Sequence, residues 1–249
     1  MIIFKSILAF IRLIIFAVTL IVSFSVYLLI AKLFFRHTTN SGFAFRKYYL
    51  TFLNFVMGIN EQIEGKPDSS PALYVCNHRG MTDFFVNLKH LNAFILSKAE
   101  VEDIPVLGFI ANYTGIFYLE RKSKDSREAA RKAIVEILQS GNNVILYPEG
   151  TTNTGKTTMS FRLGAFEEAA KNGFRVVPVA LEYKDKFDLW KSTSMTRQFI
   201  NQFGKLFTHV KMSFGTPIEN NDPVILMNKS KDWIDKKLLE MQDNWSEAY

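Results

Sequence analysis

The 249-residue chain has one cysteine, Cys76. A lone thiol excludes an intramolecular disulfide framework and a cysteine-rich zinc site. Acidic residues are missing from the first 60 positions, which hold Lys5, Arg12, Lys32, Arg36, Arg46 and Lys47 before the first acid, Glu61. The whole chain carries 30 basic and 24 acidic residues, so setting those six aside leaves 24 of each sign in residues 61–249. A body with no net charge argues against phosphate-backbone binding, and no nucleic-acid partner is expected. The sequence has no internal repeat, proline-rich linker or low-complexity stretch. Hydrophobic residues make up 48% of it, enough to build a core and to exclude a mainly disordered chain.

What is present at the basic end is apolar. Leu13 to Ala31 is an uncharged run between Arg12 and Lys32, rich in Ile, Leu, Val and Phe. About 20 such residues span the hydrocarbon of a bilayer as a helix. A cleaved signal peptide would carry a shorter core and a small-x-small site. Here the run ends in Lys32-Leu33-Phe34-Phe35-Arg36. Apolar residues on all faces also set it apart from a one-sided core helix. Residues 1–60 are therefore expected to form a membrane anchor, either one transmembrane or one monotopic helix plus a second helix. For that second helix, residues 42–57 mix Phe43, Phe45, Tyr48, Tyr49, Phe52 and Phe55 with Arg46 and Lys47. The mixture suits a helix at the membrane interface and equally an amphipathic helix packed on the body. The more basic flank follows the apolar run, which puts the body on the cytoplasmic side.

Residues 61–249 read as one α/β domain. Strands are predicted at Leu73–Cys76, Ala93–Leu96, Ile116–Leu119, Asn143–Tyr147, Arg175–Leu181 and His209–Phe214. Helices are predicted at Asp83–Leu91, Asp125–Ser140, Phe161–Asn172 and Pro223–Asn244. The alternation calls for a single sheet with helices on its faces.

Four segments carry chemistry. The first is Asn77-His78-Arg79-Gly80-Met81-Thr82-Asp83, after a strand and at a helix start. His78 suits proton transfer near neutral pH, and Asp83 can reach back to fix its tautomer. Taken alone, His78 in a surface turn with Asp83 capping a helix explains the segment as well. The second, Gly115 to Arg121, ends a strand in an arginine whose planar fork can grip phosphate or can simply be solvated. The third, Val144 to Thr152, ends a strand in Pro148-Glu149-Gly150-Thr151. Gly150 permits a tight turn with exposed amides, Thr151 adds a hydroxyl, and Glu149 can orient a hydroxyl or a basic group. The fourth, Val176 to Leu181, carries Pro178, which indicates an edge, a bulge or a lining wall.

A rival motif overlaps the third segment. Gly150 to Thr157 (GTTNTGKT) matches the nucleotide-binding P-loop pattern and follows a strand. Against a P-loop NTPase, only about 90 residues follow, and no downstream apolar strand ends in Asp to hold magnesium.

In order and spacing the four segments resemble the glycerophospholipid acyltransferase family, which includes the 1-acylglycerol-3-phosphate acyltransferases. His78 and Asp83 match its first motif, and Gly115, Tyr118, Glu120 and Arg121 its second. Tyr147 to Thr151 match the third, and Val177, Pro178 and Val179 the fourth. Lys98, Ile104 to Gly108 and Phe161 to Phe166 are similar as well, so the likeness covers roughly residues 70–185. The resemblance implies a lysophospholipid O-acyltransferase at a membrane surface. His78, oriented by Asp83, would deprotonate the free hydroxyl of a lysophospholipid for attack on acyl-CoA or acyl-acyl carrier protein. Arg121, Glu149, Gly150, Thr151 and Arg162 would hold phosphate and glycerol, with no metal or other cofactor. One departure bears on the acceptor. Phosphatidate-forming members often carry Arg after Glu-Gly-Thr, where this chain has Thr152. That favours a lysophospholipid with an esterified headgroup, unless Lys156 or Arg162 compensates. A non-catalytic membrane lipid-binding protein is the remaining alternative.

Overall fold

A strand that is apolar at every position needs cover on both faces, as in a parallel sheet between helical layers. The computed structural model describes residues 2–98, 107–119, 124–191, 194–243 and 245. The chain runs α1 (Ile2–Phe34), α2 (Thr39–Met57), β1 (Ile59–Glu64), β2 (Leu73–Cys76), α3 (Asp83–His90), β3 (Ala93–Lys98), α4 (Leu107–Tyr113) and β4 (Ile116–Leu119). It continues with α5 (Lys124–Gln139), β5 (Asn143–Leu146), α6 (Gly164–Asn172), β6 (Val176–Tyr183), α7 (Met195–Phe203), β7 (Thr208–Phe214) and α8 (Pro223–Asp243). The seven strands form one mixed sheet, ordered β1-β7-β6-β2-β5-β3-β4. Among them β6 and β7 pair antiparallel, and all other neighbours are parallel.

Side chains alternate between two cores. Tyr74, Cys76, Ile145, Val177 and Leu181 face Phe24, Leu53, Val86 and Phe203 from α1, α2, α3 and α7. Leu73, Val75, Val144, Val176 and Ala180 face Ile134, Phe166 and Leu238 from α5, α6 and α8. The single α/β sheet expected from the sequence is therefore the one that forms, and each strand and helix read from it lies within a few residues of its place. Elements β1, α4 and α7 were not legible. Strand β1 is mostly polar (INEQIE), and α7 turns Gln198 and Gln202 inward. Of the three readings of Pro178, the edge and the bulge fall away, because it lies inside the interior strand β6 in regular register. Antiparallel pairing with β7 begins one residue later, at Val179↔Phe214, so its missing N–H falls beyond that ladder. Its carbonyl accepts from Gly215 N at 2.8 Å.

Helix α1 lies along the first face of the sheet. Near its start Arg12 donates to the carbonyls of Phe203 and Leu206, both at 2.9 Å, and to that of Lys205 at 2.5 Å. A guanidinium thus caps the carboxyl end of α7, where unpaired carbonyls collect. Further along, Tyr49 of α2 donates to Phe16 O at 2.8 Å, and Phe24 packs edge-on against Phe45 and Tyr113 at 5.4 and 5.7 Å. The other side of the helix is uncovered, with Phe10, Val22, Leu29 and Leu33 all exposed. Ile3–Phe34 is, among the described residues, the one helix long and apolar enough to cross a membrane.

Helix α2 packs on the body, one of the two roles that its sequence left open, and leaves aromatic side chains uncovered. Phe43, Arg46, Leu50, Leu53 and Met57 are buried against the body, while Tyr48 and Phe55 are 76% and 85% exposed. Gly58 closes the helix at φ 70°, a left-handed position that favours glycine. Arg46 is buried, stacks at 4.5 Å on Phe43, and donates to Thr114 O at 2.5 Å and Leu91 O at 3.2 Å. Burial lowers its pKa to about 9. Two of the six N-terminal cations, Arg12 and Arg46, are thus internal donors, while Lys32, Arg36 and Lys47 remain exposed. Arg46→Ala leaves the carbonyls of Leu91 and Thr114 without this donor. The expected loss is about 2–4 kcal/mol, from ~1–3 kcal/mol per orphaned buried group. Chemical denaturation in detergent micelles reads it, and a loss below about 0.5 kcal/mol would show that other donors take over.

Candidate active site

Strands β2, β5 and β6 end side by side at the carboxyl edge of the sheet, the place where open α/β folds collect functional loops. Strand β2 ends at Cys76, and Asn77 continues it with a side chain in place of a backbone. Asn77 Nδ2 donates to Leu181 O and Asn77 Oδ1 accepts from Leu181 N, both at 2.8 Å. The chain then turns, and Thr82 and Asp83 begin α3.

Asp83 is fully buried in the first turn of α3. Its Oδ2 lies 2.6 Å from His78 Nδ1 and accepts from Arg79 N at 2.6 Å and Gly80 N at 3.0 Å. Its Oδ1 accepts from the Tyr183 hydroxyl at 2.5 Å. An ionised carboxylate only accepts, so Nδ1 of His78 carries the proton and Nε2 is the basic nitrogen. The imidazole stacks on Tyr147, centroids 4.2 Å apart and planes 14° off parallel, and keeps 26% of its side-chain surface exposed. Asn87 Nδ2 donates to the Tyr147 hydroxyl at 3.1 Å. Burial pushes the Tyr147 phenol and the Cys76 thiol well above their ordinary pKa values, so neither supplies an anionic nucleophile.

Glu149 is buried and committed to backbone. Its Oε1 accepts from His78 N at 3.1 Å and its Oε2 from Met159 N at 2.8 Å. It clamps the His78 turn to the loop after β5. Gly150 adopts φ 73°, and a Cβ there would lie 2.5 Å from Arg162 Cζ. The Arg162 guanidinium therefore rests on the turn itself, exposed and with no ion-pair or hydrogen-bond partner for its side chain among the described residues. Thr151 is exposed beside it. Arg121 and Glu120 lie outside the described residues.

The same loop removes the nucleotide reading of residues 150–157. A P-loop turns its amides toward phosphate and runs directly into a helix. Here the carbonyls of Asn153, Gly155 and Lys156 turn toward the buried Arg79 guanidinium, with Asn153 and Lys156 both at 3.2 Å. The next helix, α6, begins only at Gly164. Arg79 also pairs with Glu182 at 2.9 Å, and Gln242 of α8 joins Glu182 Oε2 at 2.7 Å to Lys156 O at 2.8 Å. Burial raises the Glu182 carboxyl above its ordinary pKa, and Arg79 pulls it back. Sequence reasoning gave Arg79, Glu182 and Tyr183 no part. A charged and a hydroxyl residue closing the otherwise apolar strand β6 was the available signal.

Two cavities open at this edge. On the first face a slot of about 310 Å³ is lined by Phe16, Leu53, Met81, Phe84, Phe85 and Ile116. On the opposite face a cleft of about 690 Å³ is lined by Arg127, Arg131, Tyr147, Gly150 and Arg162. Met81 and Phe84, on either side of Asp83 in the chain, line the slot, and Tyr147, which stacks on His78, lines the cleft.

Comparison with known proteins bears on this arrangement. The profile of the family described as Acyltransferase matches residues 59–182. A chloroplastic 1-acyl-sn-glycerol-3-phosphate acyltransferase of Arabidopsis thaliana is 36% identical over 123 residues, 49% of this chain and 35% of that protein. A lyso-ornithine lipid O-acyltransferase of Pseudomonas aeruginosa is 31% identical over 138 residues, 55% of this chain and 53% of that one. The chain thus spans between about a third and about half of these relatives' lengths. The crystal structure of the 1-acyl-sn-glycerophosphate acyltransferase PlsC from Thermotoga maritima superposes with a TM-score of 0.76, 18% identity and 96% coverage of both chains, and so shares the fold. The matched region holds β1 through β6 and, within it, His78, Asp83, Glu149 and Arg162, and through it this chain belongs to the acyltransferase family.

Proposed function

We propose that the protein transfers an acyl group from a thioester to the free hydroxyl of a lysophospholipid. The observation that carries this reading is the His78–Asp83 contact of 2.6 Å, placed between an apolar slot and an arginine-lined cleft. His78 Nε2 takes the hydroxyl proton as the oxygen attacks the thioester carbonyl. The C–S bond then breaks and the departing thiolate takes the proton back from the imidazolium. No covalent enzyme intermediate, metal or redox cofactor enters this sequence, because the thioester is already activated. The donor is acyl-CoA or acyl-acyl carrier protein.

The two cavities divide the substrates by solubility. The slot lies on the face covered by α1 and α2 and suits an acyl chain. The cleft lies on the face covered by α5 and α6, and Arg127 and Arg162 suit a phosphate there. Arg162 compensates for the missing arginine at Thr152, because its guanidinium lies on the same turn. Glu149 and Gly150 serve the site as clamp and turn, and Thr151 is the hydroxyl that can touch the acceptor. Arg121 remains a proposed phosphate ligand from the family motif.

Residues 1–60 would seat the enzyme on the membrane and residues 61–249 would carry the chemistry. Because α1 packs along the body, the reading is monotopic: the helix lies in one leaflet with its uncovered side in lipid and the body on the cytoplasmic side.

His78→Ala is expected to lower acyl transfer by about 10²–10⁴-fold while co-sedimentation with anionic vesicles persists; unchanged turnover would sink the proposal. Lys156→Ala should leave turnover within about twofold, as expected of a surface substitution. In a panel of lysophosphatidic acid and lysophosphatidyl-ethanolamine, -choline and -glycerol, Arg162→Ala should weaken lysophosphatidic acid most. No transfer from either donor to any acceptor would favour a lipid-binding protein.

A further inference from the structure

Asp83 does not end the hydrogen-bonded path that starts at His78. Its second oxygen, Oδ1, accepts from the Tyr183 hydroxyl at 2.5 Å, and that hydroxyl also lies 2.5 Å from Thr82 Oγ1. Gln202 Nε2 donates to Thr82 Oγ1 at 2.9 Å. All four side chains are buried, and they come from β6, α7 and the start of α3.

The direction of each bond follows from which atoms own protons. An ionised Asp83 only accepts, so Tyr183 gives its single proton to Oδ1. Tyr183 must then accept from the Thr82 hydroxyl, and Thr82 must accept from the amide of Gln202. The order Gln202 → Thr82 → Tyr183 → Asp83 is the one assignment that leaves no clash of protons. Burial, reinforced by the nearby Asp83 charge, pushes the Tyr183 phenol well above its ordinary pKa, so it stays a donor at neutral pH.

We infer that Tyr183 is a positioning residue for the catalytic base, fixing Asp83 and moderating its hold on His78 through a directed chain from Gln202 and Thr82. This rests on His78 acting as the base. A phenol on Oδ1 draws charge from the carboxylate, so the imidazolium is held less tightly than by a bare anion. It also prevents the carboxylate from turning about its bond to Cβ, which would misaim His78 Nε2. The other groups around the pair are fixed independently. Glu149 is clamped on backbone amides, Glu182 is paired with Arg79, and Asp188 with Lys205. Tyr147 and Cys76 face the pair as neutral groups.

The test is Tyr183→Phe in the full chain, assayed in mixed micelles with lysophosphatidic acid and oleoyl-CoA. kcat should fall roughly tenfold with KM nearly unchanged, as for loss of one bond to a charged group. The acidic limb of kcat/KM should move upward by about half a pH unit to one, because Asp83 then holds the imidazolium more tightly. Site-specific 3-fluorotyrosine at 183, a stronger donor, should move the limb downward. A variant that loses rate with an unmoved limb would reduce Tyr183 to packing and overturn the inference. The base can also be read without turnover. In 13C-histidine-labelled protein, the Cε1 resonance assigned by its absence in His78→Ala should titrate at higher pH in Tyr183→Phe than in the parent. Equal midpoints would overturn the inference even if the acyltransferase reading had failed in the assay.

Discussion

The site depends on one buried carboxylate whose donors come from the turn before it and from a strand 100 residues away. Asp83 receives the His78 imidazole, the amides of Arg79 and Gly80, and the Tyr183 phenol. The two amides require the tight turn after β2, the imidazole requires β2 to end where it does, and the phenol requires β6 alongside β2. An anion in that position is tolerable only while all donors are in place. The turn is held in its own right: Asn77 fastens it to β6, Glu149 to the loop after β5, and Arg79 to the carbonyls of Asn153, Gly155 and Lys156. Much of the polar interior is therefore devoted to keeping one histidine nitrogen aimed outward.

The two faces of the sheet differ in chemistry. Helices α1 and α2 on one face expose aromatic and aliphatic side chains, while α5 and α6 on the other carry arginines, lysines and glutamates. The reaction proposed for the edge between them joins a substrate from each side. The cleft reaches the His78–Tyr147 stack through Tyr147, and the slot reaches the same turn through Met81 and Phe84.

What the sequence made legible was local. The five-residue spacing of His78 and Asp83 fits a turn followed by a helix start, and the apolar strands announced a sheet covered on both faces. What stayed hidden was non-local or polar. Arg79 meets Glu182 across 103 residues and Tyr183 meets Asp83 across 100, and no periodicity links positions so far apart. Strand β1 and helix α7 escaped because their inward residues include glutamate and glutamine. The family resemblance implies a substrate contact for Glu149, and the structure adds what no motif could show, that both of its oxygens accept from backbone amides. The count of basic residues at the N-terminus was correct, but it could not show that Arg12 and Arg46 point inward.

Arg12 bears on how the protein can be handled. Its guanidinium closes the end of α7 one residue beyond Gln202, and Leu20, Phe24, Leu50 and Leu53 share a core with β2 and β6. The apolar N-terminus is therefore not a detachable tether. Deleting it to obtain a soluble catalytic fragment would strip the carbonyls of residues 203, 205 and 206 of their donor and open the first core to water. Solubility is better sought by recolouring the uncovered side of α1, at Phe10, Val22, Leu29 and Leu33, where polar side chains would meet only solvent.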